Sequence, residues 1–161
     1  LMQQPPRPAK ERLLSWPLII RAYLWLGMLE ALASLTVFFF VLQQSGWEYG
    51  ALLSKTDLVY QQATTACLAA IVMAQIMNVF VCRHPRMSVF QLNISGNPLL
   101  WLGIFVEIIL ILLVVYTPWG NALFGTQPLG LSVWGLMIVL ALCLGGMEEL
   151  RKATMRRMSV S

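Results

Sequence analysis

Three polar side chains inside long apolar runs are the residues of this sequence best suited to chemistry. Gln75 and Asn78 lie three positions apart in one run, and Glu107 lies about halfway along a later one. A spacing of three places Gln75 and Asn78 on the same helix face. Carboxylate and carboxamide oxygens are the ligands of hard cations such as Na⁺, K⁺ and Ca²⁺. The pattern therefore predicts a cation or proton path lined by these three residues.

The same residues have a second interpretation, which the sequence leaves open. If their helices are neighbours, Gln75 and Glu107 lie at similar depth, and a neutral Glu107 could hydrogen-bond Gln75 across a helix bundle. Glu30 is a further intramembrane carboxylate and a candidate functional group. An ionisable group at a helix centre costs about 2.5–3.5 kcal/mol on insertion scales. No polar residue of similar depth shares the face of Glu30, so helix packing is its preferred interpretation.

Catalytic and transition-metal chemistry have no candidate residues here. The sequence contains no nucleotide-binding loop and no nucleophile paired with a base. Cys67, Cys82 and Cys143 are scattered and His84 is the only histidine, so neither a zinc site nor a disulfide framework is expected. The chain alone is therefore not expected to be catalytic or to bind a cofactor.

The elements that position these side chains are predicted to be membrane helices. Hydrophobic residues make up 58% of the chain and charged residues 11%, against about 25% charged residues in soluble domains. Four runs reach the roughly 20 residues needed to cross a bilayer. We expect an all-α integral membrane bundle, a single domain over 1–161, with an arm at 1–17 and a tail at 148–161. The predicted spans are 18–42, 62–82, 99–116 and 129–147, with Gly145 and Gly146 marking the last helix end.

The basic residues predict the orientation of the bundle. All but Lys55 of the eleven lysines and arginines fall in the arm, the second connector, the tail or the adjoining span ends. By the positive-inside rule, both termini are expected in the cytoplasm. This clustering at span ends argues against a nucleic-acid partner. Glu148 and Glu149 are expected to form local ion pairs with Arg151 and Lys152 at the surface.

Short motifs along the chain resemble the C-terminal membrane region of type II P-type cation-transporting ATPases, closest in pattern to the sodium/potassium and calcium pumps. The resemblance covers nearly the whole chain in order. The segment at 2–7 resembles the stretch after their sixth helix. The motifs at 27–32, 75–78, 103–107 and 148–152 resemble their seventh to tenth helices.

This resemblance implies the C-terminal membrane domain of an ATP-driven cation pump, which scaffolds the transport helices and supplies accessory ligands. The resemblance implies accessory-ligand positions at Gln75, Asn78 and Glu107. It also implies a loop that contacts the phosphorylation domain at Pro5, Pro6 and Arg7. Mg²⁺ and ATP are implied for the parent protein, whose Asp-Lys-Thr-Gly-Thr motif does not occur in this chain. The implied partners are the bilayer, the first six helices, the cytoplasmic domains and a beta-type subunit. The implied location is the plasma membrane.

Two alternatives come from other classes of protein. A self-contained four-helix drug/proton exchanger would use an essential carboxylate in its first span, and Glu30 fits that requirement. A structural tetraspan would use none of these polar groups. In the pump interpretation, the small-residue face formed by Ala63, Ala66, Ala69 and Ala70 is expected to lack partner helices within the chain.

Overall fold

The computed structural model describes residues 16–83, 87–91 and 96–158. Pro5, Pro6 and Arg7, predicted to contact a phosphorylation domain, lie outside the described residues. Within the described residues the fold is helical throughout, without strands. The elements in chain order are α1 (Trp16–Ile19), a π-helical segment (Ile20–Leu26), α2 (Gly27–Gln44), α3 (Leu58–Val81), a 3₁₀ turn (Val89–Gln91), α4 (Pro98–Tyr116), α5 (Pro118–Phe124) and α6 (Leu131–Met158).

Four helical stretches are long and apolar enough to cross a membrane: Ile20–Gln44, Leu58–Val81, Pro98–Tyr116 and Leu131–Met158. The predictions of an all-α fold and of four such helices are confirmed. We call the continuous run of α1, the π-helical segment and α2 the first helix. The side of the bundle that contains the start of the first helix and the end of α6 is called the charged end, and the opposite side the loop end.

Helix α3 is the centre of the bundle because one of its faces consists of alanines. Ala63, Ala66 and Ala69 have no exposed surface, and they form one apolar core with Val37 of α2 and Met137 of α6. Small side chains let helix backbones approach closely. The expectation that this face lacks partners within the chain is therefore wrong, since α2 and α6 cover it. Helix α4 packs more peripherally, against α3 and α5.

Helix α6 does not end at Gly145 and Gly146, contrary to the sequence-based prediction. It continues to Met158, and its 28 residues make it about 42 Å long. Gly145 is buried, and a Cβ there would lie 2.8 Å from Met77 Sδ. The glycine thus permits close packing on α3 instead of terminating the helix. Since a bilayer core is about 30 Å thick, a helix of this length projects beyond it.

The loop end is closed by hydrogen bonds between the segment before α6 and the starts and ends of other helices. Gln127 donates from its backbone N–H to Thr65 Oγ1 (3.0 Å) and from its side chain to Gln61 Oε1 (2.9 Å). Tyr116 at the end of α4 donates its hydroxyl to Leu129 O (2.8 Å). These bonds fix α4 and α5 relative to α3, and thereby the position of Glu107.

Candidate functional site

Gln75 and Asn78 lie on one side of α3, one turn or two from its end at Val81. The Gln75 side chain is exposed and Asn78 is half-buried. Asn78 Oδ1 is itself buried and has no hydrogen-bond partner. A buried carbonyl oxygen without a donor is unfavourable by about 1–3 kcal/mol. Asn78 therefore presents an unused oxygen ligand on the same helix as Gln75.

Glu107 lies in α4 and lines an open groove of about 440 Å³ between α3 and α4. The groove wall is apolar apart from this carboxylate, with Leu68 and Val72 contributed by α3. No hydrogen bond to the Glu107 side chain is found in the described part of the chain, nor one to Gln75. The hydrogen bond between these two residues that the sequence allowed is thus not formed.

The rings of Phe80 and Trp101 set the register between α3 and α4, with centroids 5.8 Å apart. Glu107 lies six residues beyond Trp101, and Gln75 five residues before Phe80 in the antiparallel neighbour. At 1.5 Å per residue, both lie roughly 8–9 Å deeper than the aromatic pair. The fold therefore brings Gln75 and Glu107 to a common depth, with Asn78 one turn nearer the charged end.

Glu30 belongs to a different place in the bundle. Its Oε1 is the second buried side-chain oxygen without a partner among the described residues. The contact of Arg21 with Val81 O (3.4 Å) sets the register of the first helix on α3. Glu30 is nine residues from Arg21, while Asn78 and Gln75 are three and six from Val81. Glu30 therefore lies roughly 9 Å deeper than Asn78 and roughly 4–5 Å deeper than Gln75. It does not line the groove that contains Glu107, and no hydrogen bond among the described residues joins it to Gln75, Asn78 or Glu107.

The charged end holds a cluster that the sequence did not predict, formed by Arg21, Trp25, Glu148 and Arg151. We call it the Glu148 cluster. The Glu148 side chain has no exposed surface. Its Oε1 accepts from Arg21 Nη2 (2.6 Å) and Arg151 Nη2 (2.7 Å), and its Oε2 from Trp25 Nε1 (3.0 Å) and Arg151 Nε (2.8 Å). One carboxylate thus joins the first helix to α6, and Arg21 extends the contact to α3.

Glu149 forms a second, adjacent contact at this end. It accepts from Lys152 Nζ (2.9 Å) and from the backbone N–H of Val89 in the 3₁₀ turn (3.2 Å). The Lys152 side chain has no exposed surface. The pairs Glu148–Arg151 and Glu149–Lys152 form at the predicted spacing, but their expected location at the surface is wrong. Glu148 and Lys152 have no exposed surface and Glu149 and Arg151 are half-buried, because the first helix and the 3₁₀ turn contact this part of α6.

One signal could have identified the Glu148 cluster. Arg21 lies at the start of an apolar run, where an arginine needs a partner. Four residues later Trp25 lies on the same helix face, and it carries an N–H that is usually bonded when buried. Glu148 at the end of the last run is a carboxylate that both could reach. Pairing them required knowing that the first and last spans are neighbours.

The chemistry available to these groups follows from their type. Gln75, Asn78 and Glu107 offer oxygen ligands only, which suit Na⁺, K⁺, Ca²⁺ or a proton rather than a transition metal. In the described ranges, no three His, Cys, Asp or Glu side chains come together as a metal site. The Glu148 cluster, by contrast, is fully used in internal bonds and serves to hold helices together.

Comparison with known proteins identifies the family to which the chain is similar. The family model described as "Cation transporting ATPase, C-terminus" matches residues 1–154. Potassium-transporting ATPase alpha chain 2 of Rattus norvegicus is 26% identical over 97% of this chain. Sodium/potassium-transporting ATPase subunit alpha-2 of Gallus gallus is 28% identical over 98% of it. The chain spans 18% of the length of each of these two relatives.

Proposed function

Because the chain belongs to the family of cation-transporting ATPase C-terminal regions, we propose that it is the C-terminal membrane domain of an ATP-driven cation pump. In this role it scaffolds the transport helices and contributes accessory ligands from Gln75, Asn78 and Glu107. The family assignment favours this role over the drug/proton exchanger and the structural tetraspan. In this role Glu30 serves helix packing rather than an essential exchange site.

One observation supports the ligand role most strongly. Gln75 and Glu107 lie at a common depth on neighbouring helices, and neither side chain is used in a hydrogen bond within the described residues. Together with the unpartnered Asn78 Oδ1, they make a set of oxygen ligands within helices that can cross a membrane. A carboxylate and two carboxamides can replace part of the hydration shell of a hard cation.

The net charge of the three ligands indicates the charge of the cation that they suit. Glu107 supplies the single negative charge of the ligand set. Asn78 and Gln75 are neutral, and the neighbouring residue Val106 carries no charge either. The set therefore suits a monovalent cation or a proton better than a divalent cation, for which several carboxylates are usual. Ligands from further helices would complete the coordination shell.

The remaining features of the proposed pump follow from charge and family. The charged end faces the cytoplasm by the positive-inside rule, so both termini are cytoplasmic. The bilayer is the plasma membrane. The partners are the first six helices and cytoplasmic domains of the pump, and a beta-type subunit. Pro5, Pro6 and Arg7 contact the phosphorylation domain. Mg²⁺ and ATP serve the parent protein, and no residue of this chain is assigned to them.

Replacing Glu107 with glutamine tests this role in the full-length protein that carries the chain. The substitution removes the only charge of the ligand set while keeping its volume. A hydrogen bond or ligand contact to a charged group is worth about 1.5–3 kcal/mol, so we expect the half-activating cation concentration to rise about tenfold, which corresponds to 1.4 kcal/mol. The measurement is cation-stimulated ATPase activity in lipid vesicles.

The matched control is Glu30→Gln, which neutralises the other intramembrane carboxylate. It is expected to leave the half-activating concentration unchanged. Equal cation dependence in the Glu107 variant and the parent would assign Glu107 to helix packing, and a large effect of Glu30 alone would move the ligand role to the first helix.

A further inference from the structure

The π-helical segment of the first helix sets which side chains face the rest of the bundle. Gly27 donates its backbone N–H to Ala22 O, five residues earlier, where an α-helix would bond four residues earlier. Such a turn holds one residue more than an α-helical turn. π-Helical turns are rare, occur within α-helices and are frequently found at functional sites.

The α-helical periodicity of α2 indicates which side chains would face the bundle if the π-helical segment were a regular α-helix. Each residue of an α-helix rotates the side-chain direction by about 100°, and the buried positions of α2 include Ser34 and Val37. Extended toward the N-terminus, this periodicity turns Ile19 and Tyr23 inward and points Arg21 away. The observed arrangement is the reverse for two of these residues. Tyr23 is 77% exposed, and the Arg21 side chain is only 12% exposed.

Glu148 is the group that accounts for the observed register. Its carboxylate accepts from Arg21 and Trp25 in the π-helical segment, and the Arg21 donor, which lies farthest from α2, would turn away from it if the segment became α-helical. The α-helical register has its own compensation, because it presents the apolar side chain of Ile19 and the ring of Tyr23 to the bundle. The first helix thus has suitable inward-facing side chains in both registers: polar donors in the π register and apolar groups in the α register.

We propose that the π-helical segment is a two-register switch controlled by Glu148. With the carboxylate in place, Arg21 and Trp25 hold the π register. Movement of the end of α6 away from the first helix releases both donors, and the segment relaxes to the α register. α1 then rotates by about 100° and shifts by about 1.5 Å, which redirects Trp16 and the chain before it. The switch couples the last helix to whatever precedes the first, independently of the cation ligands.

Distance measurements between two spin labels test the switch. One label is placed at exposed Leu18 in α1 and the other at exposed Leu99 at the start of α4, after the three native cysteines are replaced by alanine. The full chain is studied in lipid nanodiscs by pulsed electron resonance. We expect Glu148→Gln to add a second discrete distance, because a 100° rotation of a helix about 10–12 Å wide moves its surface by roughly 8 Å.

The adjacent variant Glu149→Gln is the control, since Glu149 contacts the 3₁₀ turn and Lys152 rather than the first helix. It is expected to keep the single distance of the parent. Should Glu148→Gln fail to fold, Arg21→Gln removes the opposite partner and is expected to give the same second distance. An unchanged single distance in whichever of these variants folds would overturn the proposal, as would an equal change in the control.

Deleting exposed Leu24 localises the change. Removing one residue turns the segment into a regular α-helix while keeping Arg21 on the side of Glu148. In this background no alternative register remains, so Glu148→Gln is expected to leave one distance. A second distance that persisted after the deletion would show that the motion arises elsewhere and would contradict the switch.

Discussion

Replacing Glu148 with alanine is expected to lower the free energy of unfolding by about 3–5 kcal/mol, the cost of removing one partner from a buried ion pair. The carboxylate has no exposed surface, and it accepts from two guanidinium groups and one indole N–H. Its removal leaves two positive charges facing each other at the junction of the first helix and α6.

The measurement is reversible unfolding of the full chain in mixed micelles, followed by circular dichroism. Arg157→Ala is the matched control, because Arg157 lies on the same helix but is exposed. Surface substitutions of that kind usually change stability by less than about 0.5 kcal/mol. Similar losses in both variants would mean that the Glu148 cluster does not hold the helices together.

A second large loss is expected for Gly120→Ala, at about 3 kcal/mol, the upper part of the range for overpacking. Gly120 is buried where α5 folds back on the end of α4. A Cβ there would lie 2.6 Å from Leu113 O and Val114 O. Both are backbone atoms within a helix, so they cannot move aside as a flexible side chain would. The turn between α4 and α5 must therefore open to admit the methyl group.

Gly135→Ala gives the comparison within α6, since a Cβ at Gly135 meets nothing within 4 Å. It is expected to be neutral or slightly stabilising, because alanine is the better helix former. Thermal unfolding of both variants in the same detergent distinguishes the two positions. If Gly120→Ala were as stable as Gly135→Ala, the close approach of α5 to α4 would be incorrect.

The sequence was sufficient for the general architecture because lipid imposes it. Each run of about 20 apolar residues has to become a helix, since no other open structure satisfies its backbone in a bilayer. Prolines at the start of a span, such as Pro98, agree with the observed helix start. The common depth of Gln75 and Glu107 also followed from the sequence, given antiparallel neighbours.

What the sequence could not provide depends on which helices are neighbours. Arg21 and Glu148 are separated by 127 positions, and no local pattern links them. The sequence pattern at Gly145 indicates a helix end because glycine often follows the last turn, whereas in the structure it makes room for Met77 on another helix. The π register is equally hidden, because it results from a contact with α6 rather than from the residues of the segment.

The role proposed for Glu107 is to take part in binding a cation. The most direct test is the rate at which a hydrophobic carbodiimide modifies Glu107 in the full-length protein, followed by peptide mass spectrometry. A bound metal cation displaces the proton that the carbodiimide needs and covers the carboxylate, so modification slows in proportion to occupancy. We expect about a tenfold lower rate when one of Na⁺, K⁺ or Ca²⁺ is near ten times its dissociation constant, with Glu30 unaffected. A Glu107 rate that none of these cations changes would contradict cation binding by Glu107.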